Sequence, residues 1–367
     1  MENFKLGHAS ASTWQDAAES CLIQLGELSS SDNLGFLYVT DLIAGELPEI
    51  LDFFKANTPV TSWVGTVGIG ICGSGKQYFN TPAIAVMLGN FPENSFYVFQ
   101  ENENLNQFAA KNRVLFTVAH GDPRSKEIDK DITNTSESLS EGFLVGGLTS
   151  SRHEILQIAD EIREGGGVSG VIFSNEIEVS TRLTQSCSAI GPYHRISQCD
   201  NNIIIGLDDK SALDVFKQDV GPEFTEDLNK VAGNIFAAIP IQGSDTDNYV
   251  IRNIIGIDPE HHLLAIGSKL NLGMSIGFTR RDANDAYKYM LQMLNQIKAS
   301  LNGRKIKGGL YYSCMGRGEN LFGNDSKELK VIEQFLGDFP LVGFFANGEI
   351  FYQRLHAYSG ILTLFLE

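Results

Sequence analysis

The stretch Gly309-Leu-Tyr-Tyr-Ser-Cys314 decides the fold, because it begins a pattern that recurs along the chain. It is a short apolar run that is rich in strand-forming residues. A helix-like segment over residues 326–336 follows it, and the next apolar run contains Leu341-Val-Gly343. Short apolar runs predict buried strands, and apolar residues at helical spacing predict an amphipathic helix. The pattern therefore predicts a unit of strand, helix and strand.

The same order occurs in two further places. Near the start of the chain, Gly35-Phe-Leu-Tyr-Val-Thr40 precedes a helix-like segment over residues 47–55 and then Trp63-Val-Gly65. A weaker copy begins at Val114-Leu-Phe-Thr-Val118 and contains Leu144-Val-Gly-Gly147. Three copies predict an α/β or α+β fold with two lobes. We expect central mixed β-sheets flanked by helices and built from pseudo-repeated strand-helix-strand units.

The length of the chain predicts two domains. Its 367 residues exceed the roughly 250–300 at which a single hydrophobic core usually divides. Hydrophobic residues make up 43% and charged residues 20%, which is typical of a globular protein. Gly221-Pro222 interrupts the pattern of apolar residues, so we place the boundary there. The predicted domains are residues 20–220 and residues 221–367.

Three more helices are predicted outside the repeated pattern. Residues 151–164 carry Ile158 and Ile162 on one helical face and end at a run of glycines. Residues 283–301 form the longest amphipathic pattern in the chain, which we interpret as core packing. A short helix is expected over residues 209–217.

The charge and the cysteines favour a cytoplasmic protein without nucleic-acid or membrane partners. The net charge of −17 disfavours binding to nucleic acid or to an anionic membrane. The longest apolar runs have the length of strands, and the N-terminus lacks a secretory pattern. The odd, scattered cysteines predict reduced thiols. They are Cys21, Cys72, Cys187, Cys199 and Cys314.

Nucleotide and metal sites are not predicted. The glycine-rich residues 65–75 lead into Lys76, but Gln77 stands where a phosphate loop needs a hydroxyl to bind Mg²⁺. The neighbours His261 and His262 would point to opposite faces of a strand, so they do not form a chelating pair. We therefore expect no bound metal.

Two opposed charges predict a small-ligand site. Arg317 follows a strand end within Cys314-Met-Gly-Arg317, and Glu349 follows the next predicted strand. A guanidinium binds a carboxylate, and a carboxylate binds an ammonium group, so the pair suits an amino acid or a peptide-like ligand. The alternative is a structural ion pair of Arg317 with Glu349 or Glu319. The candidate ligand-binding residues are Arg252, Tyr312, Cys314, Gly316, Arg317, Gly343, Phe344 and Glu349.

Cys314 offers an enzymatic alternative. It comes at the end of a predicted strand, where a nucleophile would be exposed. Its base would be His356 or His120 if the fold brings either one close. The other interpretation is an inert thiol buried at the strand end.

The same motifs resemble the C-terminal FIST domain. They are Tyr249-Val-Ile-Arg252, Ile255-Gly-Ile-Asp258, Tyr312-Ser-Cys-Met-Gly-Arg317 and Leu341-Val-Gly-Phe-Phe-Ala-Asn-Gly-Glu349. Their order and spacing, more than any single motif, carry the resemblance.

Earlier segments resemble the N-terminal FIST domain. They are Val64-Gly65, Leu144-Val-Gly-Gly147, Val168–Ser174, Gly191-Pro-Tyr-His-Arg-Ile-Ser197, Ile205-Gly-Leu-Asp208 and Ala212-Leu-Asp-Val215. The resemblance covers residues 20–367. One departure stands at Asp208-Asp-Lys-Ser-Ala212, which lacks the Gly and Pro of the Asp-Gly-x-Pro-Ala pattern of the family, so the local turn can differ.

The resemblance implies a sensory module for small ligands, with amino acids proposed. Such domains are often fused to histidine kinases, cyclic-dinucleotide enzymes or chemoreceptors. We expect the two domains to fill this chain and a separate signalling protein to receive the signal. A haem-binding subset of the family senses nitric oxide, which makes His120, His194 and His356 candidate haem ligands; otherwise no cofactor is expected.

Overall fold

The computed structural model describes residues 4–100, 105, 108–109, 113–139, 142–241 and 249–367. The chain forms two compact units. The first contains the residues up to Thr184 and those from Leu291 onward, and the second contains Gln185–Met290. This division by contacts takes both ends of the chain into one unit. The predicted boundary at 220/221 instead divides the sequence into two consecutive stretches. The division by contacts does not test it, and it stays a prediction.

The strands follow one another along most of the chain. In order they are β1 (Lys5–Ser10), β2 (Leu34–Thr40), β3 (Ser62–Gly68), β4 (Gly70–Gly73), β5 (Lys76–Phe79), β6 (Ala83–Gly89), β7 (Phe96–Phe99), β8 (Val114–Gly121), β9 (Phe143–Leu148), β10 (Leu156–Ala159), β11 (Glu161–Glu164), β12 (Val168–Ser174), β13 (Val179–Gln185), β14 (Cys187–Asp200), β15 (Ile203–Leu207), β16 (Lys210–Ser211), β17 (Ile235–Pro240), β18 (Tyr249–Asp258), β19 (Leu263–Ile266), β20 (Ser275–Arg281), β21 (Ile306–Cys314), β22 (Leu341–Ala346), β23 (Glu349–Phe351), β24 (Arg354–His356) and β25 (Ser359–Leu366).

Helices connect several of these strands. They are α1 (Trp14–Leu25), α2 (Leu47–Asn57), α3 (Ile128–Glu137), α4 (Ala212–Val220), α5 (Pro222–Thr225), α6 (Ala283–Leu301), α7 (Glu319–Phe322) and α8 (Lys327–Leu336). The prediction of a helix over residues 283–301 is confirmed by α6. The short helix expected over residues 209–217 forms slightly later, as α4, after the side chain of Ser211 caps its first turn.

The described part of the first unit contains three six-stranded sheets. Their strand orders are β1-β6-β2-β3-β10-β11, β24-β23-β9-β8-β12-β7 and β13-β25-β21-β22-β4-β5. Each sheet holds one parallel pair, β2 with β3, β8 with β9 and β21 with β22. The chain passes through α2, α3 or α8 between the two strands of a pair. These mixed sheets and their helices confirm the predicted α/β class, whereas a repeat in the sequence stays a prediction.

Apolar side chains of all three sheets meet in one core. Phe36 from β2, Phe116 from β8 and Phe365 from β25 belong to it, and none exposes more than 1% of its surface. A second cluster lies where α1 and α2 cover the first sheet. Burial on this scale supplies the main driving force of folding and fixes the sheet edges that carry the candidate site.

The second unit is described by itself. Its seven-stranded sheet has the order β14-β20-β17-β18-β19-β15-β16 within the described residues. Apolar residues of α4 and α5 pack with those of the sheet, including Phe216 and Phe278, whose ring centroids lie 5.0 Å apart.

The helix predicted over residues 151–164 is wrong. The segment instead forms β10 and β11, an antiparallel pair in which Ala159 lies opposite Glu161. Asp160 makes the turn with a φ of 61°, and its carboxylate accepts the backbone N–H of Trp63 at 2.9 Å. Pairing of β10 with β3 therefore outweighs the helical spacing of apolar residues in this segment. In strands as short as four residues, such a spacing can arise by chance.

Candidate functional site

The candidate site begins at the turn that follows β21. Cys314 ends this strand and lies opposite Ala346 of β22. The backbone N–H of Met315 donates to the carbonyl of Ala346 at 3.0 Å, and that of Arg317 donates to the carbonyl of Cys314 at 2.8 Å. The turn is completed by Asn320, whose side chain donates to the carbonyl of Met315 at 2.8 Å. These bonds fix the backbone that carries Cys314, Gly316 and Arg317.

Arg317 forms a buried ion pair with Glu328 at the start of α8. The Nη2 and Nε atoms of the arginine lie 2.6 Å and 2.8 Å from Glu328 Oε1, and neither side chain is exposed. The guanidinium also lies 5.1 Å from the ring centroid of Phe322. Burial alone would lower the pKa of Arg317, but the charge of Glu328 outweighs it and raises that pKa. The arginine is therefore charged, and a carboxylate of the protein itself binds it.

The carboxylate of Glu328 is a junction for the turn. Its Oε1 accepts the hydroxyl of Tyr311 at 2.6 Å, and both its oxygens lie 3.3 Å from the hydroxyl of Ser313. The backbone N–H of Gly318 donates to Oε2 at 3.2 Å. A buried charge is tolerated only when its hydrogen-bonding capacity is used in this way. Glu328 thus anchors β21, the turn and α8 to one another.

Glu328 was not predicted from the sequence. Glu319 or Glu349 was the expected ionic partner of Arg317, whereas the structure pairs Arg317 with Glu328. Glu328 lies one turn ahead of the buried Val331 and Ile332, so it shares their face of α8. A carboxylate on the apolar face of a helix is the signal that could have identified it.

Glu349 is the second buried carboxyl group of the site. It begins β23, where it lies opposite Gly147 of β9 and His356 of β24. Its Oε2 accepts the backbone N–H of Ser359 at 3.0 Å and the Ser359 hydroxyl at 2.7 Å. Its Oε1 is buried and accepts no N–H or O–H donor from the residues that the structure describes.

The surroundings of Glu349 raise its pKa to about 8. Burial is the main cause, since it disfavours the charged form. Hydrogen bonds from Ser359, the positive charge of Arg317 and a hydrogen bond with the Cys314 thiol act in the opposite direction. Glu349 therefore exchanges its proton near neutral pH, which few carboxyl groups do.

Cys314 lies between this carboxyl group and two backbone donors. Its residue surface is 8% exposed, and burial together with the charge of Glu349 raises the pKa of its thiol. The backbone N–H groups of Gly316 and Tyr358 bond to the sulfur and lower that pKa in part. The fold thus brings Cys314, Gly316, Arg317 and Glu349 together.

Tyr312, Gly343 and Phe344 lie in the core of the first unit. The hydroxyl of Tyr312 is 3.0 Å from that of Tyr38, and Phe344 stacks on Tyr38 with ring centroids 5.5 Å apart. A Cβ at Gly343 would lie 1.7 Å from the carbonyl oxygen of Tyr311, so this glycine allows β21 and β22 to approach. These three residues hold the sheet that carries the turn.

Arg252 lies on β18, in the second unit. Its Nη1 donates to the carbonyl of Ile251 at 3.0 Å, and its side chain is partly buried. Its role in a ligand site stays a prediction.

The surroundings of His194 and His120 do not suit haem ligation. His194 bonds to carboxylates through both ring nitrogens, with Nδ1 2.6 Å from Asp208 and Nε2 2.8 Å from Asp219. Neither nitrogen is open to an iron atom. His120 has no exposed surface, and this burial lowers its pKa to about 3. Its Nε2 lies 3.2 Å from the Tyr38 hydroxyl. A haem macrocycle does not fit beside a ring enclosed in this way.

His356 also lies in the interior. It is 5% exposed, and its ring centroid lies 6.1 Å from that of Phe351. Within the described residues, no three His, Cys, Asp or Glu side chains are grouped so that they could hold a metal ion. Of the helices in the part of the chain that the structure describes, none combines the length and apolar character that crossing a membrane requires.

The fold is that of a mixed α/β protein, and the buried, polar turn after β21 is its candidate site. Two protein-family domains match consecutive parts of the sequence. Residues 33–210 match the FIST N domain and residues 212–352 match the FIST C domain. Because these matches span most of its length, the chain belongs to the FIST family. FIST domains are sensory signal-transduction domains.

The chain is similar to proteins of mycobacteria over most or half of its length. An uncharacterized protein of Mycobacterium tuberculosis strain H37Rv is 27% identical over an alignment of 346 residues, and the match covers 87% of this chain and 87% of the relative. An uncharacterized protein of Mycobacterium bovis is 28% identical over an alignment of 193 residues, and the match covers 50% of this chain and 50% of the relative. This chain is similar to both.

Proposed function

We propose that the chain is a cytoplasmic sensory protein that binds a small amino-acid-like ligand through Glu349 and passes the signal to a separate protein. The observation that carries the proposal is the buried Glu349 carboxyl group, whose Oε1 accepts no N–H or O–H donor from the described residues. A buried carboxylate oxygen that accepts no N–H or O–H is costly, and a ligand that donates such a hydrogen bond removes that cost.

The chemistry of the ligand follows from the charge of the site. A carboxylate buried beside a turn binds an ammonium group with a charge-assisted hydrogen bond. The positive charge of Arg317 is already matched by Glu328, so the proposal assigns no anion of the ligand to it. Arg317 instead holds the turn in place and favours the charged form of Glu349. The ligand class is therefore defined by its amine.

The thiols are consistent with the proposed compartment. All five cysteines are free in the structure, and four of them are buried. Reduced thiols are the normal state in a reducing cytoplasm. Cell fractionation of the tagged protein tests this part of the proposal, since recovery in the membrane or secreted fraction would contradict it.

Calorimetry tests the ligand. Amino acids are titrated at pH 8.5 against the hydroxy acids that differ only by lacking the amine. We expect binding of at least one amino acid, no binding of its hydroxy acid, and at least a tenfold loss of affinity in Glu349→Gln. Glu319→Gln is the matched control, because Glu319 lies nearby in the partly exposed start of α7. Equal affinities in the wild type and Glu349→Gln would overturn the proposal.

A further inference from the structure

His194 of β14 bonds to carboxylates of two different elements within the second unit. Its Nδ1 lies 2.6 Å from Oδ2 of Asp208, which follows β15, and its Nε2 lies 2.8 Å from Oδ2 of Asp219 in α4. Ionised carboxylates only accept hydrogen bonds, so both ring nitrogens donate and the imidazole carries both protons. The charged ring thus ties both ends of the segment 208–219 to β14.

In the part of the chain that the structure describes, these two carboxylates are the ionisable groups hydrogen-bonded to the imidazole. On the same strand, the guanidinium of Arg195 turns instead to Asp209, with Nη2 3.2 Å from Oδ2. The residues of β20 that lie opposite His194 and Arg195 are the uncharged Ile276 and Ser275. Burial lowers the pKa of His194, but the two carboxylates outweigh it and raise that pKa above its usual 6.5.

The two carboxylates differ in what can replace the ring when it loses a proton. Asp208 has a side chain that is 47% exposed, and its Oδ1 accepts the backbone N–H of Arg195 at 2.8 Å. The side chain of Asp219 is only 6% exposed, so water has little access to it. A neutral imidazole keeps one N–H, and a buried charge without a donor is costly, so that N–H stays with Asp219. The lone pair of Nδ1 then faces a carboxylate oxygen of Asp208 and repels it.

The turn formed by Asp208 and Asp209 depends on bonds of this kind. Both residues have a positive φ, 48° and 63°, between the paired strands β15 and β16. They form the two-residue loop of a β-hairpin, whose second position is usually glycine. The backbone N–H of Asp209 donates to the hydroxyl of Ser197 on β14 at 3.1 Å. Loss of the bond to the imidazole therefore loosens a turn whose backbone is already strained.

We propose that His194 is a pH-sensitive switch: the doubly protonated ring holds the β15–β16 turn against β14, and loss of the Nδ1 proton to water releases the turn while Asp219 keeps α4 attached. Asp208 lies in the sequence that matches the FIST N domain and Asp219 in the sequence that matches the FIST C domain. The switch therefore acts where these two sequences meet. It concerns the second unit alone and does not rest on a ligand at Glu349.

Carbon NMR of the full chain, labelled with ¹³C in its aspartates, tests the switch from pH 5 to pH 9. The Cα resonance of Asp209 reports the backbone of the turn, because the side chain of this residue bonds to Arg195 and not to the imidazole. We expect it to move at least halfway to the value of an unstructured aspartate, with the midpoint at which the imidazole of His194 titrates. The Cα resonance of Asp219 should keep its position.

Asp208→Asn removes the charge that the neutral ring repels, and asparagine tolerates the left-handed φ of this position. Its amide accepts from the charged ring and donates to the neutral one, so the Asp209 resonance should no longer depend on pH. His194→Gln carries the same expectation and replaces Asp208→Asn should that variant fail to fold. His261→Gln is the matched control: it removes another histidine of the second unit that bonds to an aspartate, and it should leave the titration of Asp209 unchanged.

Four results would overturn the switch. They are an Asp209 resonance that stays constant while His194 titrates, no titration of His194 in this range, a pH dependence that persists in the Asp208→Asn or His194→Gln protein, and a shift at Asp219 as large as that at Asp209. Binding of an amino acid at Glu349 bears on none of them, so this proposal and the proposed function fail separately.

Discussion

Arg317 and Glu328 form an ion pair in which Nη2 lies 2.6 Å from Oε1 and neither side chain has exposed surface. Removing two charges from water costs several kcal/mol for each ion, and their attraction offsets this only when the remaining hydrogen bonds are made. Tyr311 and Gly318 supply such bonds to Glu328. The pair therefore specifies the conformation of the turn that presents Cys314 to Glu349.

Replacing Glu328 by Gln should destabilise the protein by about 3–5 kcal/mol, because it leaves a buried guanidinium without a counter-charge. Denaturant unfolding measures the change. Lys330→Gln is the control, since Lys330 lies on the same helix as Glu328 and pairs with Asp325, which precedes the helix, through side chains that are 44% and 91% exposed. That control should change stability by less than about 1 kcal/mol. Equal effects of the two substitutions would show that the buried pair does not hold the turn.

Glu349 should make the protein less stable as the pH rises. Its pKa is about 8 in the folded chain against a usual 4.5, so the folded state binds the proton more tightly. Stability is therefore highest below pH 4.5 with respect to this group and falls until pH 8, by about 5 kcal/mol at about 1.4 kcal/mol per pKa unit.

Glu349→Gln removes this pH dependence, because an amide does not titrate. The measurement is the difference in unfolding free energy between wild type and variant from pH 5 to pH 9, which should shift in favour of the variant up to about pH 8 and then level off. Glu319→Gln, which changes a partly exposed carboxyl group at the start of α7, is the matched control. A difference that does not vary with pH would mean that Glu349 ionises in the folded protein as it does in water.

His194 should titrate above its usual pKa of 6.5. Burial lowers this pKa, but hydrogen bonds with Asp208 and Asp219 outweigh it. Stability from the charged imidazole is complete below pH 6.5 and is lost as the pH rises through the raised pKa. NMR titration of the imidazole measures the pKa, which should fall in Asp219→Asn.

The fold class could be predicted because its signal is local. Apolar runs such as Gly35–Thr40 form strands when both of their faces are buried, and β2 is buried along its whole length. Residues 151–164 failed for the opposite reason: their spacing of apolar residues fits a helix, whereas pairing with β3 depends on residues far away in sequence.

The site could be predicted only in part. Cys314, Arg317 and Glu349 were identified because glycines and charges at strand ends are visible in the sequence. Glu328 and Ser359 were not, because what distinguishes them is the partner that they meet in space. Arg252 was predicted as a cation between apolar strand residues; it lies in the other compact unit, and its role in a ligand site stays a prediction.

Gly343→Ala should be the most disruptive small substitution in the parallel pair of β21 and β22. The added Cβ would lie 1.7 Å from the carbonyl oxygen of Tyr311, which is backbone and cannot move without breaking the pairing. Gly45→Ala is the matched control, because its Cβ would meet no atom within 4 Å.

We expect the Gly343→Ala protein to be recovered unfolded or to lose more than about 4 kcal/mol of stability. Losses of this size are exceptional and have a few specific causes, of which a backbone clash is one. Gly45→Ala should stay within about 1 kcal/mol of the wild type. Thermal unfolding followed by circular dichroism measures both. Because Gly343 fixes the sheet on which Cys314 lies, a Gly343→Ala protein with wild-type stability would show that this close approach does not constrain the site.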